Sequence, residues 1–382
     1  MHKVVIGLGF GDEGKGSAVD YLVKQHYLVS SQPVIVVRFS GGQQAGHTVY
    51  TNNKNHIFSN FGSGTLRNAP TYWSKYCSFD PVSFLNEYES LKDISITPKI
   101  FVDAESPLTT PFEKMLNRSA ENVSHGTCGL GVGPTFAREK LFNLQVSDLF
   151  FPQVLKVKLD LLAEYYGKNY NFLNVESHLK NFFLSVEKVI NQIEVVQQHT
   201  FLPRIKEKFT IVFEGSQGLL LDQRSGFFPH VTRSNTGLNN VQKLLGSQTP
   251  LDVYFITRSY LTRHGNGPMI YDDEVKIHDD PYEINVHDDL RGEFRKSVLN
   301  VDLINYALDR QAKYLTNSRK NLVISHMDSF DEFPLRKRNQ IFTFDASKFV
   351  SNLIKDINIS FDKIITNNSR FSQTFKIFEH EK

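Results

Sequence analysis

The sequence predicts an α/β fold with a large, mostly parallel central sheet and helices around it. Short runs rich in Val and Ile recur along the 382 residues. These runs are apolar on both faces, which is typical of buried parallel strands. Helical segments lie between them, so we expect helices to cover the sheet and the chemistry to lie in loops at the strand ends. The predicted strands are Val4–Gly7, Val34–Phe39, Ile100–Asp103, Thr210–Glu214, Val253–Thr257, Leu322–Ser325 and Lys363–Thr366, and the predicted helices are Ser17–Lys24, Pro111–Asn117, Val175–Gln197 and Asp302–Tyr314.

The domain organisation is interpreted as a single α/β domain over residues 1–382. A stretch at about 150–205 has largely helical character and separates two glycine-rich segments, so it is predicted to be a helical insertion. Internal repeats, low-complexity tracts and Gly/Ser linkers are absent from the sequence. Forty per cent of the residues are hydrophobic, which is ample for a large buried core.

Composition excludes several classes of partner and location. The 43 Lys and Arg nearly balance the 41 Asp and Glu, so nucleic acid and anionic membrane are not expected as main partners. Cys77 and Cys128 are the only cysteines and do not form a disulfide framework. The start of the chain lacks a signal-peptide pattern, and no apolar run approaches the length of a membrane span. We therefore expect a cytoplasmic protein.

A glycine-rich loop, Gly7–Ser17, follows the first predicted strand and precedes a helix. Glycines let backbone N–H groups approach phosphate oxygens, and the helix N-terminus adds a favourable potential. Asp12 is suited to hold magnesium or accept a proton, and Lys15 to neutralise a phosphate. The alternative, an ordinary glycine turn with solvated charges, stays open for this loop taken alone.

Two familiar phosphate-binding patterns almost fit this loop. Gly9, Gly11 and Gly14 satisfy GxGxxG, but the ribose-binding acid expected near position 34 is absent. The run from Gly9 to Lys15 satisfies GxxxxGK, but Gly16 stands where a P-loop places its magnesium-binding hydroxyl. A dinucleotide-binding fold and an ordinary P-loop NTPase are both disfavoured.

Six sequence blocks occur in order along the first 268 residues. They are GDEGKG (11–16), VVRFSGGQQAGHTV (36–49), HGTCGLGVGP (125–134), FEGSQGLLLD (213–222), FPHVTRSNT (228–236) and TRHGNGP (262–268). Together they resemble the motifs of the adenylosuccinate synthetase family, whereas the C-terminal third matches weakly. The resemblance implies a P-loop NTPase-related fold around a large parallel-rich sheet, and a homodimer.

The chemistry that the resemblance implies joins L-aspartate to a purine nucleotide in two steps. A base removes the N1 proton of IMP, and O6 attacks the γ-phosphate of GTP. The aspartate amine then displaces phosphate at C6, giving adenylosuccinate. Phosphorylation makes O6 a good leaving group, so triphosphate cleavage drives C–N bond formation.

The same resemblance assigns roles to residues of the first two blocks. Asp12 matches the general base and a Mg²⁺ ligand, and the Gly46 carbonyl a second Mg²⁺ ligand. His47 matches a general acid toward the phosphates, and Lys15 a phosphate-neutralising cation. The triphosphate-binding set then comprises Gly11, Asp12, Glu13, Gly14, Lys15, Gly16, Ser17, Gly46, His47 and Thr48, with Arg295, His326 and Asp328 from later segments.

The acceptor and aspartate sites follow from the later blocks, with departures from the family pattern. Gln44 stands for the family's asparagine and Cys128 for a threonine, whereas Ser17 replaces a lysine. His326 replaces the lysine beside Asp328 in the guanine-reading element. The purine-monophosphate set is Gln44, Thr127, Cys128, Gln217, Thr232 and Arg138, the last as a candidate for the arginine donated across the dimer, and the aspartate set is Arg291 and Arg295.

These departures leave the substrates open. The leading interpretation is an IMP-dependent, GTP-dependent enzyme. The alternative is the related phage type that converts GMP or dGMP with ATP, dATP or GTP into 2-amino-adenylosuccinate. A nucleotide-binding homologue without catalysis is a further alternative, although Asp12, Lys15 and His47 are all retained.

Overall fold

The computed structural model describes residues 1–119, 127–246, 249–270, 276–278, 281, 283, 285 and 290–379. Its strands are β1 His2–Gly7, β2 Val34–Arg38, β3 His47–Tyr50, β4 Asn55–Phe58, β5 Thr71–Trp73, β6 Ile100–Asp103, β7 Glu194–Val196, β8 Thr210–Gly218, β9 Leu251–Arg258, β10 Tyr260–His264, β11 Phe294–Asn300, β12 Arg319–Ser325, β13 Phe333–Lys337, β14 Gln340–Phe344, β15 Lys363–Thr366 and β16 Lys376–Ile377. Its α-helices are α1 Lys15–Val29, α2 Pro81–Asp93, α3 Pro111–Asn117, α4 Val132–Arg138, α5 Pro152–Gly167, α6 Val175–Val189, α7 Gln198–Lys208, α8 Asn239–Leu245, α9 Val301–Asp309 and α10 Ala346–Asp356.

A ten-stranded sheet organises the described part of the chain. Its order is β16-β15-β12-β9-β1-β8-β2-β5-β6-β7, and every neighbouring pair is parallel except β15 with β16. The predicted α/β class with a mostly parallel sheet is confirmed. The apolar residues of β1 and β2 are fully buried on both faces, because helices cover the sheet on each side.

The central strands bring their carboxyl ends to one edge of the sheet. Strand β1 lies between β8 and β9, with Val4 opposite both Phe213 and Val253. Helix α1 follows the glycine loop and packs Val19 and Val23 against Val5 and Val36 in one apolar cluster. The loop that precedes α1 is therefore fixed between the sheet and the helix.

The stretch predicted as a helical insertion contains helices α5, α6 and α7, but it also supplies strand β7. The predicted helix Val175–Gln197 is wrong in its last part, because α6 ends at Val189 and Glu194–Val196 pairs with β6 at the sheet edge. Two consecutive valines suit a pleated strand, and the tertiary pairing overrides the helical pattern. The predicted helix Asp302–Tyr314 likewise ends early, at Asp309, before a 3₁₀ turn at Ala312–Tyr314.

A second sheet of four strands, in the order β10-β11-β13-β14, was not predicted. Only Ser259 separates β9 from β10, so the chain passes directly from the central sheet into the second one. Strand β10 thereby carries Thr262, Arg263 and His264 across the carboxyl end of the central sheet. No helix in the described residues is long and apolar enough to cross a membrane.

Candidate active site

A cavity of about 580 Å³ lies at the carboxyl ends of the central strands. The glycine loop forms one wall, and segments after β2, β8, β9 and β12 form the others. Such a crevice is where α/β sheets bind their ligands. The cavity brings together most of the predicted site residues: Gly11, Asp12, Glu13, Gly14, Lys15, Gly16, Ser17, Gln44, Gly46, His47, Thr48, Thr127, Cys128, Gln217, Thr232, Arg291 and His326.

Glu13 organises the glycine loop from inside. Its carboxylate accepts hydrogen bonds from the N–H groups of Gly9 (3.0 Å) and Gly11 (2.9 Å). A Cβ on Gly7 would lie 2.3 Å from this carboxylate, and one on Gly218 would lie 2.5 Å from it. The glycines at these two positions therefore make room for a buried acid, and the main role of Glu13 is to shape the loop.

The start of α1 offers an anion site. No side chain caps this helix, whose N-cap residue Gly14 has φ 89°. The first N–H groups of an α-helix lack intrahelical partners and attract phosphate. Lys15 lies at the same place, buried, with its Nζ 2.5 Å from Glu13 Oε2. A positive charge and unpaired N–H groups thus meet at one wall of the cavity.

Gly16 explains why the loop departs from the P-loop pattern. A Cβ at this position would lie 2.8 Å from His47 Cβ and 3.0 Å from Ser63 Oγ. Separations below 3.0 Å are steric collisions for carbon atoms. The backbone of α1 therefore approaches His47 too closely for the serine or threonine of a P-loop.

His47 and Glu214 form a buried pair beside Lys15. His47 Nδ1 lies 2.5 Å from Glu214 Oε1, and the other carboxylate oxygen accepts from the N–H of Ser63 at 2.9 Å. Burial, with Arg38 and Lys15, lowers the pKa of His47 although Glu214 opposes this. Burial acts to raise the pKa of Glu214, but His47, Arg38 and Ser63 lower it overall. The Glu214 carboxylate therefore accepts from a protonated Nδ1, and Nε2, which lies 3.5 Å from the Ser216 carbonyl, is the ring nitrogen left for a ligand.

Asp12 lies across the cavity from this pair, in a left-handed conformation with φ 58°. Its Oδ2 is 3.3 Å from His264 Nε2, and its carbonyl accepts from Arg258 Nε at 2.5 Å. Burial acts to raise the pKa of Asp12, but His264, Arg258 and Lys15 lower it overall. Asp12 is therefore an ionised carboxylate, as a proton acceptor or metal ligand must be.

The donor atoms around Asp12 fit a magnesium ion held together with triphosphate. Magnesium in nucleotide sites is usually held by one or two carboxylates plus phosphate oxygens, not by a cage of protein ligands. No group of three or more His, Cys, Asp or Glu suited to a metal occurs among the described residues. Asp12 would provide the carboxylate, and Gly46 lines the same cavity.

Two amide side chains converge where the purine base is expected. A Cβ on Gly41 would lie 2.8 Å from Gln44 Nε2 and 3.1 Å from Gln217 Oε1, so both amides approach one point. Their Oε1 atoms are buried and lack a hydrogen-bond partner among the described residues. Buried polar atoms of this kind are satisfied by a ligand. The predicted pair of base-reading amides is therefore brought together.

The other predicted acceptor-site residues surround this point. Thr127 donates its N–H to the carbonyl of Leu290 (2.8 Å), which places the 127 and 290 segments side by side. Cys128 and Thr232 line the cavity, and Cys128 is not part of a disulfide. His125 and Gly126 of the same sequence block lie outside the described residues.

Arg138 does not support its predicted role. Its side chain is fully buried and pairs with Glu113 (3.1 Å) and Glu139 (2.8 Å). Its remaining N–H groups donate to carbonyls of Leu108 and Phe142. Because every part of this guanidinium is used inside the chain, Arg138 is a structural residue that cannot reach across a dimer interface.

Two further predicted residues lie away from the cavity lining. Arg295 donates to the carbonyls of Gly265 (2.5 Å) and Gly267 (3.1 Å), and so holds the loop after β10. Asp328 is exposed, whereas its neighbour His326 does line the cavity. Burial, with Arg258 and Lys296, keeps the pKa of His326 well below its ordinary value, so it adds a neutral ring.

Sequence reasoning missed several residues of this site, namely Glu214, Arg258, His264, Glu283 and Asn285. Glu214 lies in the block FEGSQGLLLD and His264 in the block TRHGNGP, but the family resemblance assigned neither residue a role. The sequence does contain a signal for Glu214, because it is a charged residue at the end of an apolar predicted strand. A carboxylate buried there needs polar partners, which indicates a site. Glu283 and Asn285 carry no comparable signal in the sequence.

Comparisons with known proteins agree with the geometry. The chain matches the family model "Adenylosuccinate synthetase" over residues 4–335. The adenylosuccinate synthetase of Ehrlichia canis (strain Jake) is 31% identical, over 94% of this chain and 86% of its own length. That of a Wolbachia sp. from Brugia malayi is 33% identical, over 70% of this chain and 62% of its own length.

Two solved structures share the fold. Fully ligated adenylosuccinate synthetase from Plasmodium falciparum superposes with a TM-score of 0.77 at 17% identity, covering 99% of this chain and 100% of that one. The succinoaminodeoxyadenylate synthetase of cyanophage S-2L, bound to dGMP and dATP, superposes with a TM-score of 0.64 at 12% identity. The latter alignment covers 98% of this chain and 94% of the phage protein.

Proposed function

The chain belongs to the adenylosuccinate synthetase family of C–N bond-forming ligases, and on that premise we propose that it condenses L-aspartate with IMP, using GTP. The observation that carries the proposal is one cavity that holds an ionised carboxylate, a buried lysine and a carboxylate-bound histidine. These groups match the two tasks of the reaction, removal of a proton and transfer of a phosphoryl group.

Asp12 takes the N1 proton of IMP in this proposal. As that proton leaves, charge moves to O6, which attacks the γ-phosphorus of the triphosphate and breaks its bond to the bridging oxygen. The diphosphate leaves, and the 6-phosphoryl nucleotide remains. Gln44 and Gln217, whose amides converge in the same cavity as Asp12, would orient the base by its 6-oxo edge.

The phosphates would lie on the glycine loop and the start of α1. Phosphoryl transfer requires mainly positioning and charge neutralisation. Lys15 and the N–H groups of Gly14 and Gly16 supply fixed positive potential there. His47, held by Glu214, presents Nε2 to the phosphates; it takes a proton from solvent as their negative charge approaches and, as a general acid, donates it toward the phosphate oxygens.

Mg²⁺ would be held by Asp12 and the Gly46 carbonyl, and when bound it supplies charge neutralisation at the phosphate oxygens. Aspartate would enter beside Arg291, whose guanidinium suits a carboxylate. The amine of aspartate then attacks C6 and expels the 6-phosphoryl group as inorganic phosphate.

We also propose a homodimer. Helix α5 and the residue before it expose an apolar stripe: Phe151 (60% exposed), Val154 (45%), Val157 (59%) and Leu161 (49%). Their spacing of three or four residues places them on one helical face. A contiguous exposed apolar face of this kind is typical of a protein–protein interface and rare on surface that stays in contact with water.

A second candidate function uses GMP or dGMP as acceptor and ATP or dATP as donor. Two observations favour it. Asp328, the predicted guanine-reading carboxylate, lies outside the cavity lining, and Gln44 reaches one methylene further than the asparagine of the family. The two unpartnered Oε1 atoms are hydrogen-bond acceptors, which suits a base with an additional amino group.

The test is a panel of phosphate-release assays with magnesium and L-aspartate. IMP, GMP and dGMP are each combined with GTP, ATP and dATP, and product masses are recorded. Turnover with IMP and GTP supports the first function, and turnover confined to GMP or dGMP replaces it with the second. Nucleotide binding without turnover in any combination would refute both.

A further inference from the structure

Asp12 is held at both its side chain and its main chain by one closed ring of polar contacts. His264 Nε2 contacts Asp12 Oδ2 (3.3 Å) and Asn285 Oδ1 (3.1 Å). Asn285 Nδ2 donates to Glu283 Oε1 (2.7 Å), and Glu283 Oε2 accepts from Arg258 (2.8 Å). Arg258 Nε closes the ring on the Asp12 carbonyl at 2.5 Å.

The direction of each bond in this ring is determined by its neighbours. Glu283 accepts from Arg258 and from the Asn285 amide, so the Asn285 nitrogen faces Glu283 and its oxygen faces His264. His264 Nε2 therefore lies between two acceptors, a carboxylate and an amide oxygen. Only a protonated Nε2 satisfies both, so this nitrogen is a donor.

The glycine loop itself gives Asp12 little support. Gly11 (φ 105°) and Gly14 (φ 89°) flank it, and Asp12 is itself in the left-handed region. Glycine-rich backbone of this kind is conformationally permissive. The internal carboxylate of Glu13 holds the N–H groups of Gly9 and Gly11, but the Asp12 side chain points the other way, toward His264.

We propose that His264 is a positioning residue for the base Asp12, and that Asn285, Glu283 and Arg258 are the supports that hold its ring so that Nε2–H is shared between the Asn285 amide oxygen and the Asp12 carboxylate. This inference rests on the proposed function, because it requires Asp12 to be the base. The contact with Oδ2 restricts the side-chain rotamer of Asp12 and leaves Oδ1 for the acceptor base. Because His264 acts through Asp12 in this proposal, we expect its loss to lower kcat more than it changes the KM values.

The kinetic test uses His264→Leu, which removes the donor, and His264→Gln, which keeps an N–H donor at a similar reach. In His264→Leu, kcat falls about 10- to 150-fold, the equivalent of one hydrogen bond to a charged group, with KM values unchanged. His264→Gln recovers most of the lost rate. The matched control is His278→Gln, another described histidine outside this ring, which leaves kcat unchanged.

A purely structural role predicts a different pattern. It would lower the thermal stability of both His264 variants together and would not distinguish Gln from Leu in kcat. Equal loss of rate in the two variants, or a KM increase with unchanged kcat, would overturn the proposal. Thermal unfolding of each variant, measured alongside, identifies any variant that fails to fold.

A spectroscopic readout makes the inference independent of turnover. In ligand-free protein labelled with ¹⁵N-histidine, the resonance lost in His264→Gln identifies His264, and its shift shows whether Nε2 carries the proton. We expect a protonated Nε2, and a changed His264 shift in Asn285→Leu, which removes one of its two acceptors. A neutral His264 imidazole protonated only at Nδ1 would overturn the proposed ring of contacts around Asp12. If the wild type shows no turnover with any nucleotide pair, the proposed function fails. The spectroscopic measurement still shows whether His264 Nε2 is the donor to Asp12.

Discussion

Glu214→Gln tests whether a buried carboxylate controls His47, the proposed general acid. Glu214 is fully buried and binds His47 Nδ1 through one oxygen and the Ser63 N–H through the other. Glutamine keeps the shape but has one acceptor oxygen. The Ser63 N–H is part of the backbone and can only donate, so the amide oxygen turns to it and the NH₂ group faces His47. His47 Nδ1 then becomes an acceptor, and the proton moves to Nε2.

The expected size of the effect follows from that change of tautomer. His47 needs an Nε2 lone pair to take up a proton as phosphate charge approaches. General acid–base catalysis contributes about 10²–10⁴-fold, and a carboxylate-to-amide change beside a catalytic histidine elsewhere lowers kcat about 10⁴-fold. We therefore expect Glu214→Gln to lower kcat about 10²–10⁴-fold with little change in KM. The lost charge-assisted bond also lowers the free energy of unfolding by about 1.5–3 kcal/mol.

The stability effect of Glu214→Gln has a defined pH dependence. The pKa of Glu214 is lower in the fold than its ordinary value, because His47, Arg38 and Ser63 outweigh burial. A lowered pKa means that the stabilisation is fully present above the unfolded pKa of about 4.3 and is lost as pH falls. The difference in unfolding free energy between wild type and variant is therefore largest near neutral pH and smaller below about pH 4.

The assay is steady-state phosphate release for wild type, Glu214→Gln, His47→Asn and the double variant. If Glu214 acts through His47, the double variant is no slower than the slower single variant, because the residues work as a unit. Additive losses in the double variant would refute the reasoning. A kcat within about threefold of wild type in Glu214→Gln would refute it as well, because general acid–base catalysis is worth far more than that.

Four further substitutions probe other parts of the proposed site. Asp12→Asn is expected to abolish turnover while nucleotide binding, measured by calorimetry, stays within about tenfold; normal turnover would end the general-base assignment. Gly16→Ala places a Cβ 2.8 Å from His47 Cβ, so we expect kcat to be almost lost and the free energy of unfolding to fall by about 1–3 kcal/mol. An active, stable variant would contradict this packing argument. Arg291→Leu should raise the KM for aspartate at least about tenfold, as loss of a bidentate carboxylate pair implies, while Arg295→Leu should not. A larger KM effect from Arg295 would restore its predicted role.

The sequence predicted the central sheet well because its strands are buried on both faces. The run Ile100–Asp103, for example, coincides with strand β6, in which all four residues are buried, since nearly continuous apolar character leaves few alternatives. The four-stranded sheet was missed because β10 and β11 are rich in Arg, Lys and Thr and alternate weakly. Tertiary pairing, not local preference, makes them strands.

The site shows the same division between local and distant information. The glycine loop was predictable because all its parts lie within eleven residues, Gly7–Ser17. The partners of Asp12 lie about 250 residues away, at Arg258 and His264, and no local pattern indicates such contacts. Arg138 was misassigned for the converse reason, because its position near a motif says nothing of the buried Glu113 that binds it.

The loop also explains why magnesium is expected at Asp12 and not after the lysine. In a P-loop, the residue after the lysine supplies a hydroxyl to the metal. Here that residue is Gly16, and the space beside it is filled by His47 and Ser63, which leaves no room for a side chain. In the proposed site a carboxylate four residues earlier, Asp12, provides the metal ligand instead, and its side chain needs an orientation that the hydrogen bonds inside the loop do not set. The ring through His264 and Arg258 meets that requirement, so the steric exclusion at Gly16 and the fastening of Asp12 are two consequences of one loop geometry.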